Sequence, residues 1–176
     1  MKRVIINDNN LDIKDIDYDV IRVKGLVINS NDELIIVENN NTFQFPGGHI
    51  RKDEALEDSL AREINEELGI DVNIDNGPFM MITTYDNNYF DTGSKVCNKI
   101  YYYVVKCDSE PDINNLKLDA IEKETDFNII KVKLRDLDAF LNKALDDGRI
   151  DANIGREMLL VSSEFNNMFG GIEWKF

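Results

Sequence analysis

Glutamates are crowded near the end of one short segment of this 176-residue chain. Glu63, Glu66 and Glu67 are three and four residues apart, so a helix would place them side by side on one face. Like charges at these spacings repel by roughly a few tenths of a kcal/mol per pair. A hard divalent cation, by contrast, binds several carboxylate oxygens at once. The spacing therefore predicts a cation-binding face.

The helix that must position these carboxylates also has an apolar side. At about 100° per residue, one stripe contains Leu60, Ala61, Ile64 and Leu68. The stripe lies away from the carboxylates, so one face of the helix can be buried while the other lines a cleft.

Residues at both ends of the segment indicate its limits. Asp53 is the expected N-cap, with Glu54 and Glu57 in the first turn, where negative charge is favourable. Gly69 is expected to end the helix. The preceding residues 45–48, Phe-Pro-Gly-Gly, are expected to form a loop. Paired glycines let the backbone approach a ligand closely, and the backbone groups there can act as ligands.

The segment from Gly48 to Ile70 matches the pattern G-x5-E-x7-R-E-U-x-E-E-x-G-U at every position, U being aliphatic. Its fixed letters fall on Gly48, Glu54, Arg62, Glu63, Glu66, Glu67 and Gly69. The chain thereby resembles the Nudix hydrolase family. Flanking strands and the glycine pair extend the resemblance loosely over residues 18–146. We expect one Nudix domain over residues 1–176, with residues 1–17 and 147–176 as an N-terminal and a C-terminal helical extension outside the resemblance.

The resemblance implies an α/β fold, specifically an α/β/α sandwich with a mixed β-sheet. It also implies that Glu63, Glu66 and Glu67 bind Mg²⁺, with Mn²⁺ able to substitute, and that Gly48 offers its backbone carbonyl. Nudix relatives hydrolyse a diphosphate linkage in a nucleoside diphosphate joined to another group, and release phosphate monoesters. The same reaction is therefore expected here.

Other roles follow from the resemblance less directly. Arg62 would pair with and orient a glutamate of the motif, and Glu54 would brace the loop. The general base can come from the motif, as Glu63, or from a distant loop, as Glu122 or Glu124. The sequence leaves this choice open, and solvated loop charge is the alternative interpretation of the two distant glutamates.

Contacts to the substrate are harder to predict. Gly47 and His49 lie beside the metal ligands and could contact phosphate, although a loop histidine is more often incidental. Tyr85 lies in the region where some relatives carry a substrate-binding tyrosine. Residues 86–97 form a long polar stretch, for which we expect a mobile substrate loop. The tyrosines at 101–103 fit a strand, where aromatic residues are common, better than a stacking site.

Composition limits the partners. A net charge of −14 disfavours tight binding of long nucleic acids and makes an RNA-end hydrolase a minor option. A small nucleotide stays compatible, since metal ions can carry the phosphate charge. The remaining alternative to an enzyme is a Nudix-fold protein that senses a nucleotide without cleaving it, although the complete set of glutamates argues against it. The sequence does not decide whether the protein is a homodimer.

Cys97 and Cys107 lack metal-site spacing and are expected to be reduced thiols in a cytoplasmic protein. The apolar run 4–6 is too short for a signal peptide or a membrane span, so no membrane partner is expected. Apolar patterning predicts strands at 20–28, 33–37, 42–45, 79–85, 98–106 and 127–134, and further helices at 135–145 and 153–168.

Overall fold

The computed structural model describes residues 1–118 and 122–170, without the side chain of Glu122. Within these residues the strands are β1 (Lys2–Ile6), β2 (Tyr18–Ile28), β3 (Glu33–Asn39), β4 (Thr42–Gln44), β5 (Met80–Tyr89), β6 (Ser94–Lys106) and β7 (Phe127–Lys133). The helices are α1 (Leu56–Leu68), α2 (Leu137–Asp146) and α3 (Ala152–Phe169). Short 3₁₀ turns occur at Ile13–Asp15, Glu122–Glu124 and Leu134–Asp136.

All of these strands belong to one sheet of order β1-β5-β6-β2-β3-β4, in which β7 also pairs with β3. The pairs β1–β5 and β2–β6 are parallel, and the others are antiparallel. The predicted mixed sheet is therefore confirmed. Residues 1–17 contribute β1 at its edge, so this segment continues the sheet.

Helices cover both faces of the sheet. One face packs with α2 and α3 into a cluster that includes Leu26, Tyr102 and Phe165. The other packs with α1, whose Leu60, Ile64 and Leu68 are completely buried. Burying such side chains stabilises the fold by roughly 1.5–3 kcal/mol each. The predicted apolar side of α1 and the predicted sandwich are both confirmed.

Along the edge that faces β3, the two halves of strand β2 form hydrogen bonds with different segments of the chain. Its end pairs with β3 at Val27 and Ile28. Its earlier part bonds instead to the chain that follows β4: Gly25 N–H donates to the Pro46 carbonyl (2.8 Å) and Val23 N–H to the Gly48 carbonyl (3.0 Å). This exchange of partners holds the glycine loop, residues 45–48, against β2.

The start of α1 differs from the prediction. Asp53 is not the N-cap: the helix begins at Leu56 after Ala55, and Asp53 has a φ of 63°. Glu54 precedes the helix rather than lying in its first turn, because its carboxylate is bonded to Arg62. The other end agrees with the prediction, since Gly69 caps the helix with a φ of 67°.

The predicted mobile loop at 86–97 is wrong. Strand β5 continues to Tyr89 and β6 begins at Ser94, so a hairpin with a short turn replaces the loop. The segment is rich in Asp and Asn, which favour turns, and this composition suggested a loop. The strands nevertheless pair, because strand pairing uses backbone groups that every residue here carries.

The C-terminal part of the chain packs on the sheet through Met158, Val161 and Phe165 of α3. Residues 171–176 of the predicted extension lie outside the described residues. Cys97 and Cys107 are buried and form no disulfide. Every helix in the described ranges is too short or too polar to span a bilayer.

Candidate active site

A cleft of about 620 Å³ opens between α1, the glycine loop, β2 and the tip of the β5–β6 hairpin. One side, here called the acidic wall, consists of Gly47, Gly48, Arg62, Glu63, Glu66 and Glu67. A second group of lining residues, here called the basic wall, consists of Arg22, Lys24, His49 and Phe90. The cleft therefore brings together most of the residues that the sequence nominated.

Arg62 is bonded to the carboxylates around it. Its Nη1 donates to Glu63 (2.7 Å) and Glu66 (3.0 Å). Its Nε and Nη2 donate to the two carboxylate oxygens of Glu54 at 2.7 and 2.9 Å. These bonds, those to Glu54 above all, raise the pKa of Arg62. The predicted pairing of Arg62 with motif glutamates is present, and it lowers the repulsion between them.

Glu54 connects the segment before α1 to the helix. Besides its two bonds to Arg62, it accepts a hydrogen bond from the backbone N–H of Arg51 (2.8 Å). The Arg62 hydrogen bond, and then the Arg51 N–H, lower the pKa of Glu54 to about 2. Glu54 does not line the cleft as described, and its contacts are those expected of a residue that braces the loop.

The glycine loop lies directly on the carboxylates. Gly47 N–H donates to Glu67 (2.8 Å), which is only 3% exposed. Gly47 has a φ of 131°, and any side chain there would overlap the Val23 carbonyl. A Cβ on Gly48 would lie 2.7 Å from the Glu63 carboxylate carbon. Gly47 is therefore required for this approach, whereas a side chain at Gly48 would displace the Glu63 carboxylate.

The donor chemistry of the acidic wall fits a hard divalent cation. Glu63 and Glu66 both meet the Nη1 of Arg62, so the two carboxylates already converge on one positive centre. The Gly48 carbonyl accepts one bond, from Val23, and a carbonyl oxygen has a second lone pair. No three acidic, histidine or cysteine side chains of the described residues are gathered as metal ligands. The carboxylates are bonded to Arg62, to Arg51 and to Gly47 N–H instead.

Lys24 places a buried amine in the basic wall. Its Nζ donates to the side-chain oxygen of Gln44 (2.9 Å) and the carbonyl of Phe45 (3.1 Å). Burial lowers the pKa of Lys24, and the charges of Glu67 and Glu157 oppose this effect. The amine thus lies within the electrostatic reach of the acidic wall.

Arg22 ties His49 to the hairpin. Its Nε donates to His49 Nε2 (3.1 Å), and its Nη2 donates to the Tyr89 hydroxyl (2.6 Å). His49 as a whole is exposed, but the loss of water around its ring, with the charges of Arg22 and Lys24, lowers its pKa to about 4. The imidazole is therefore neutral at physiological pH, and its Nε2 carries a lone pair toward Arg22.

Two predicted residues, Tyr85 and Glu124, do not line the cleft as described. Tyr85 lines a separate groove of about 440 Å³ together with Cys97 and Lys99, and does not line the cleft as described. Glu124 is exposed in the turn before β7 and does not line the cleft. The Glu122 side chain lies outside the described residues. Thr125, next to this turn, donates a hydrogen bond to Asn39 (2.5 Å), a cleft residue.

Sequence reasoning missed Arg22, Lys24 and Glu157. Arg22 and Lys24 interrupt an apolar strand at alternate positions, and such residues project to one face. That pattern could have drawn attention to them. Glu157, on α3, accepts a hydrogen bond from the buried Tyr102 hydroxyl, and burial raises its pKa. Nothing in the local sequence around Glu157 indicates this contact.

Comparisons with known proteins bear on the family and the fold of the chain. The model of the NUDIX domain matches residues 20–154. A MutT structure from work on Aliivibrio salmonicida and Vibrio cholerae is similar at 19% identity and a TM-score of 0.50, covering 81% of this chain and 98% of that one. The MutT protein of Methanosarcina mazei Go1 is similar at 20% identity and a TM-score of 0.50, covering 84% and 95%. No curated protein matches the sequence significantly.

Proposed function

The chain belongs to the Nudix family of hydrolases, and from this premise we propose that it cleaves a diphosphate linkage in a nucleoside diphosphate derivative with the help of Mg²⁺. The products would be two phosphate monoesters. The observation that carries the proposal is the cleft itself, which brings Glu63, Glu66 and Glu67 together with Arg22 and Lys24.

Nudix hydrolases in general use divalent metal ions. In this chain Glu63, Glu66 and Glu67 would hold the ion, together with the Gly48 carbonyl. A bound Mg²⁺ supplies positive charge at the phosphate oxygens and lowers the pKa of an attacking water. Mn²⁺ has the same preference for oxygen ligands and would substitute.

Residues of the chain would orient the carboxylates, bind the phosphate groups and supply the general base. Arg62 orients the carboxylates of Glu63 and Glu66, and Gly47 N–H holds Glu67 in place. Arg22 and Lys24 would bind phosphate oxygens, because they bring positive charge into the cleft that the glutamates line. Of the candidates for the general base, we assign Glu63, since it lines the cleft and Glu124 does not.

The partner would be a small nucleotide rather than a long nucleic acid or a membrane. The net charge of −14 supports this, because a phosphate backbone is bound by an excess of basic residues. We place the protein in the cytoplasm, where its two unpaired cysteines would stay reduced.

A turnover assay tests the proposal. Nucleoside diphosphate sugars, dinucleoside polyphosphates and dinucleotides are incubated with the protein and Mg²⁺, and the monoesters released are detected by adding a phosphatase and measuring phosphate. We expect at least one compound to be cleaved, and EDTA to abolish cleavage. Binding of these compounds without cleavage of any would instead identify a nucleotide sensor.

A further inference from the structure

Phe90 combines two unfavourable features at the mouth of the cleft. Its side chain is 72% exposed, although it is large and apolar. Its backbone has a φ of 47°, in the left-handed region that bulky residues rarely occupy. A glycine or asparagine would satisfy the turn without either cost. Costs of this kind concentrate at functional sites, and Phe90 lines the cleft that contains the motif glutamates.

Neighbouring side chains hold the Phe90 ring in place. The ring of Tyr89 packs against it, with centroids 4.4 Å apart. The Arg22 guanidinium lies 6.0 Å from the Phe90 centroid and 5.8 Å from that of Tyr89. Arg22 is itself fixed by the Tyr89 hydroxyl (2.6 Å). An exposed aromatic ring is thus braced beside a positive charge.

We propose that Phe90 is the stacking platform for the nucleobase of the substrate, and that Tyr89 is its positioning residue. The inference rests on the proposed function and specifies how that site holds its substrate. The diphosphate would lie toward the glutamates and Lys24, and the base toward the hairpin tip. The cleft volume of about 620 Å³ lies within the range of roughly 300–1,000 Å³ that is usual for ligand pockets.

The chemistry of phenylalanine adds a prediction about specificity. A phenyl ring offers no hydrogen-bond donor or acceptor, and every nucleobase has a flat π-face. A base bound mainly by stacking is therefore recognised as a planar ring rather than by its edge. We expect analogues that carry different bases to bind with similar affinity.

Binding without turnover tests the platform. The probes are α,β-methylene diphosphate analogues of the four common ribonucleosides, and methylenediphosphonate alone, measured by calorimetry with Mg²⁺. Phe90→Ala should weaken the binding of the nucleoside analogues about tenfold, the scale of one lost base stack. It should leave the affinity for methylenediphosphonate unchanged. Phe90→Trp should restore binding. Ile113→Ala is the matched control, because Ile113 is 71% exposed and lies outside the cleft.

Other outcomes would overturn the inference. If the Phe90→Ala variant binds the nucleoside analogues as tightly as the unaltered protein does, the base lies elsewhere. An equal loss for methylenediphosphonate would show that Phe90 affects only the phosphate site. No binding of any analogue to the unaltered protein would also reject the platform. If the platform result holds while the unaltered protein cleaves nothing in the turnover panel, then the proposed hydrolysis is wrong and the stacking site stands.

Discussion

The two walls of the cleft are built from different ranges of the sequence. In the acidic wall, Arg62 is bonded to residues one, four and eight positions away, namely Glu63, Glu66 and Glu54. In the basic wall, Arg22 is bonded to His49 and Tyr89, which are 27 and 67 positions away. The bonds from Arg62 to these glutamates form within a helix and the segment before it, whereas the bond from Arg22 to Tyr89 forms only after β2 and the β5–β6 hairpin pair correctly.

The walls also differ in their balance of charge. Around the acidic wall, Arg51 and Arg62 are bonded to Glu54, Glu63 and Glu66, so negative charge is in excess even before Glu67 is counted. In the basic wall, the bonds from Arg22 to His49 and Tyr89 go to neutral groups. A cation would balance the charge of the acidic wall, and an anion would balance that of the basic wall. A phosphate group with a bound metal ion carries both charges.

The largest effect on stability should come from placing a charge on the buried face of α1. Leu60→Asp would bury a carboxylate where Leu60 is completely buried. An unpaired buried charge costs several kcal/mol, a large share of the roughly 5–15 kcal/mol that stabilises a domain. We expect this variant to unfold or aggregate, as measured by soluble yield and thermal melting.

Glu66→Gln, on the same helix, is its matched variant. Its side chain is 26% exposed in the cleft, so the protein should stay folded and lose only metal affinity and rate. A soluble Leu60→Asp protein with normal melting would contradict the assignment of the two helix faces.

The next effect concerns turnover. Glu63→Gln and Glu67→Gln should each lower kcat by at least about two orders of magnitude, the scale of a lost catalytic group, with the far-UV spectrum unchanged. Asp58→Asn is the control, because Asp58 is an exposed acid in the first turn of the same helix. A Glu63 or Glu67 variant with nearly full activity would remove that residue from the site.

Cation binding should appear as a smaller, thermal effect. Mg²⁺ bound only to the folded state stabilises it by about 2.7 kcal/mol at one hundred times its Kd. For a domain of this size the melting temperature should rise by roughly 5–10 °C. The double variant Glu63→Gln, Glu67→Gln should lose most of this rise. An equal rise in both proteins would place the ion elsewhere on this acidic surface.

The unequal success of sequence reasoning follows from the same contrast. The positions of Glu63, Glu66, Glu67 and Gly69 on α1 were predictable, because helical periodicity and the glycine cap act over a few residues. The buried stripe of α1 was predictable for the same reason. The start of the helix was not, because the Glu54–Arg62 bonds, not a side-chain cap, hold the chain before it.

Long-range elements were the ones missed. The strand at Lys2–Ile6 forms by pairing with β5, nearly eighty residues later in the chain, and its own sequence is too short to show a pattern. Similarly, the place of Phe90 in the cleft depends on the length of the β5–β6 hairpin. The many Asp and Asn residues of that segment led to the prediction of a loop instead. The register of a sheet is a tertiary property, so residues that depend on it carry no local signal.

The smallest effect tests whether the basic wall acts as one electrostatic unit. His49 is the only histidine, so its NMR titration is unambiguous. Loss of water around the ring, and then Arg22 and Lys24, lower its pKa from 6.5 to about 4. Between these values the unfolded chain binds more protons than the folded one, so His49 reduces stability as pH falls from 6.5 toward 4.

Arg22→Gln removes one of these charges and should raise the pKa of His49 part of the way toward 6.5, since the burial of the ring remains. The loss of stability on the acid side should shrink accordingly. Tyr89→Phe is the matched control, because it removes the hydroxyl bonded to Arg22 without changing charge, and the pKa should stay near 4. If the unaltered protein titrates near 6.5, the ring does not lie against Arg22 and Lys24 in solution, and the basic wall is more open than described.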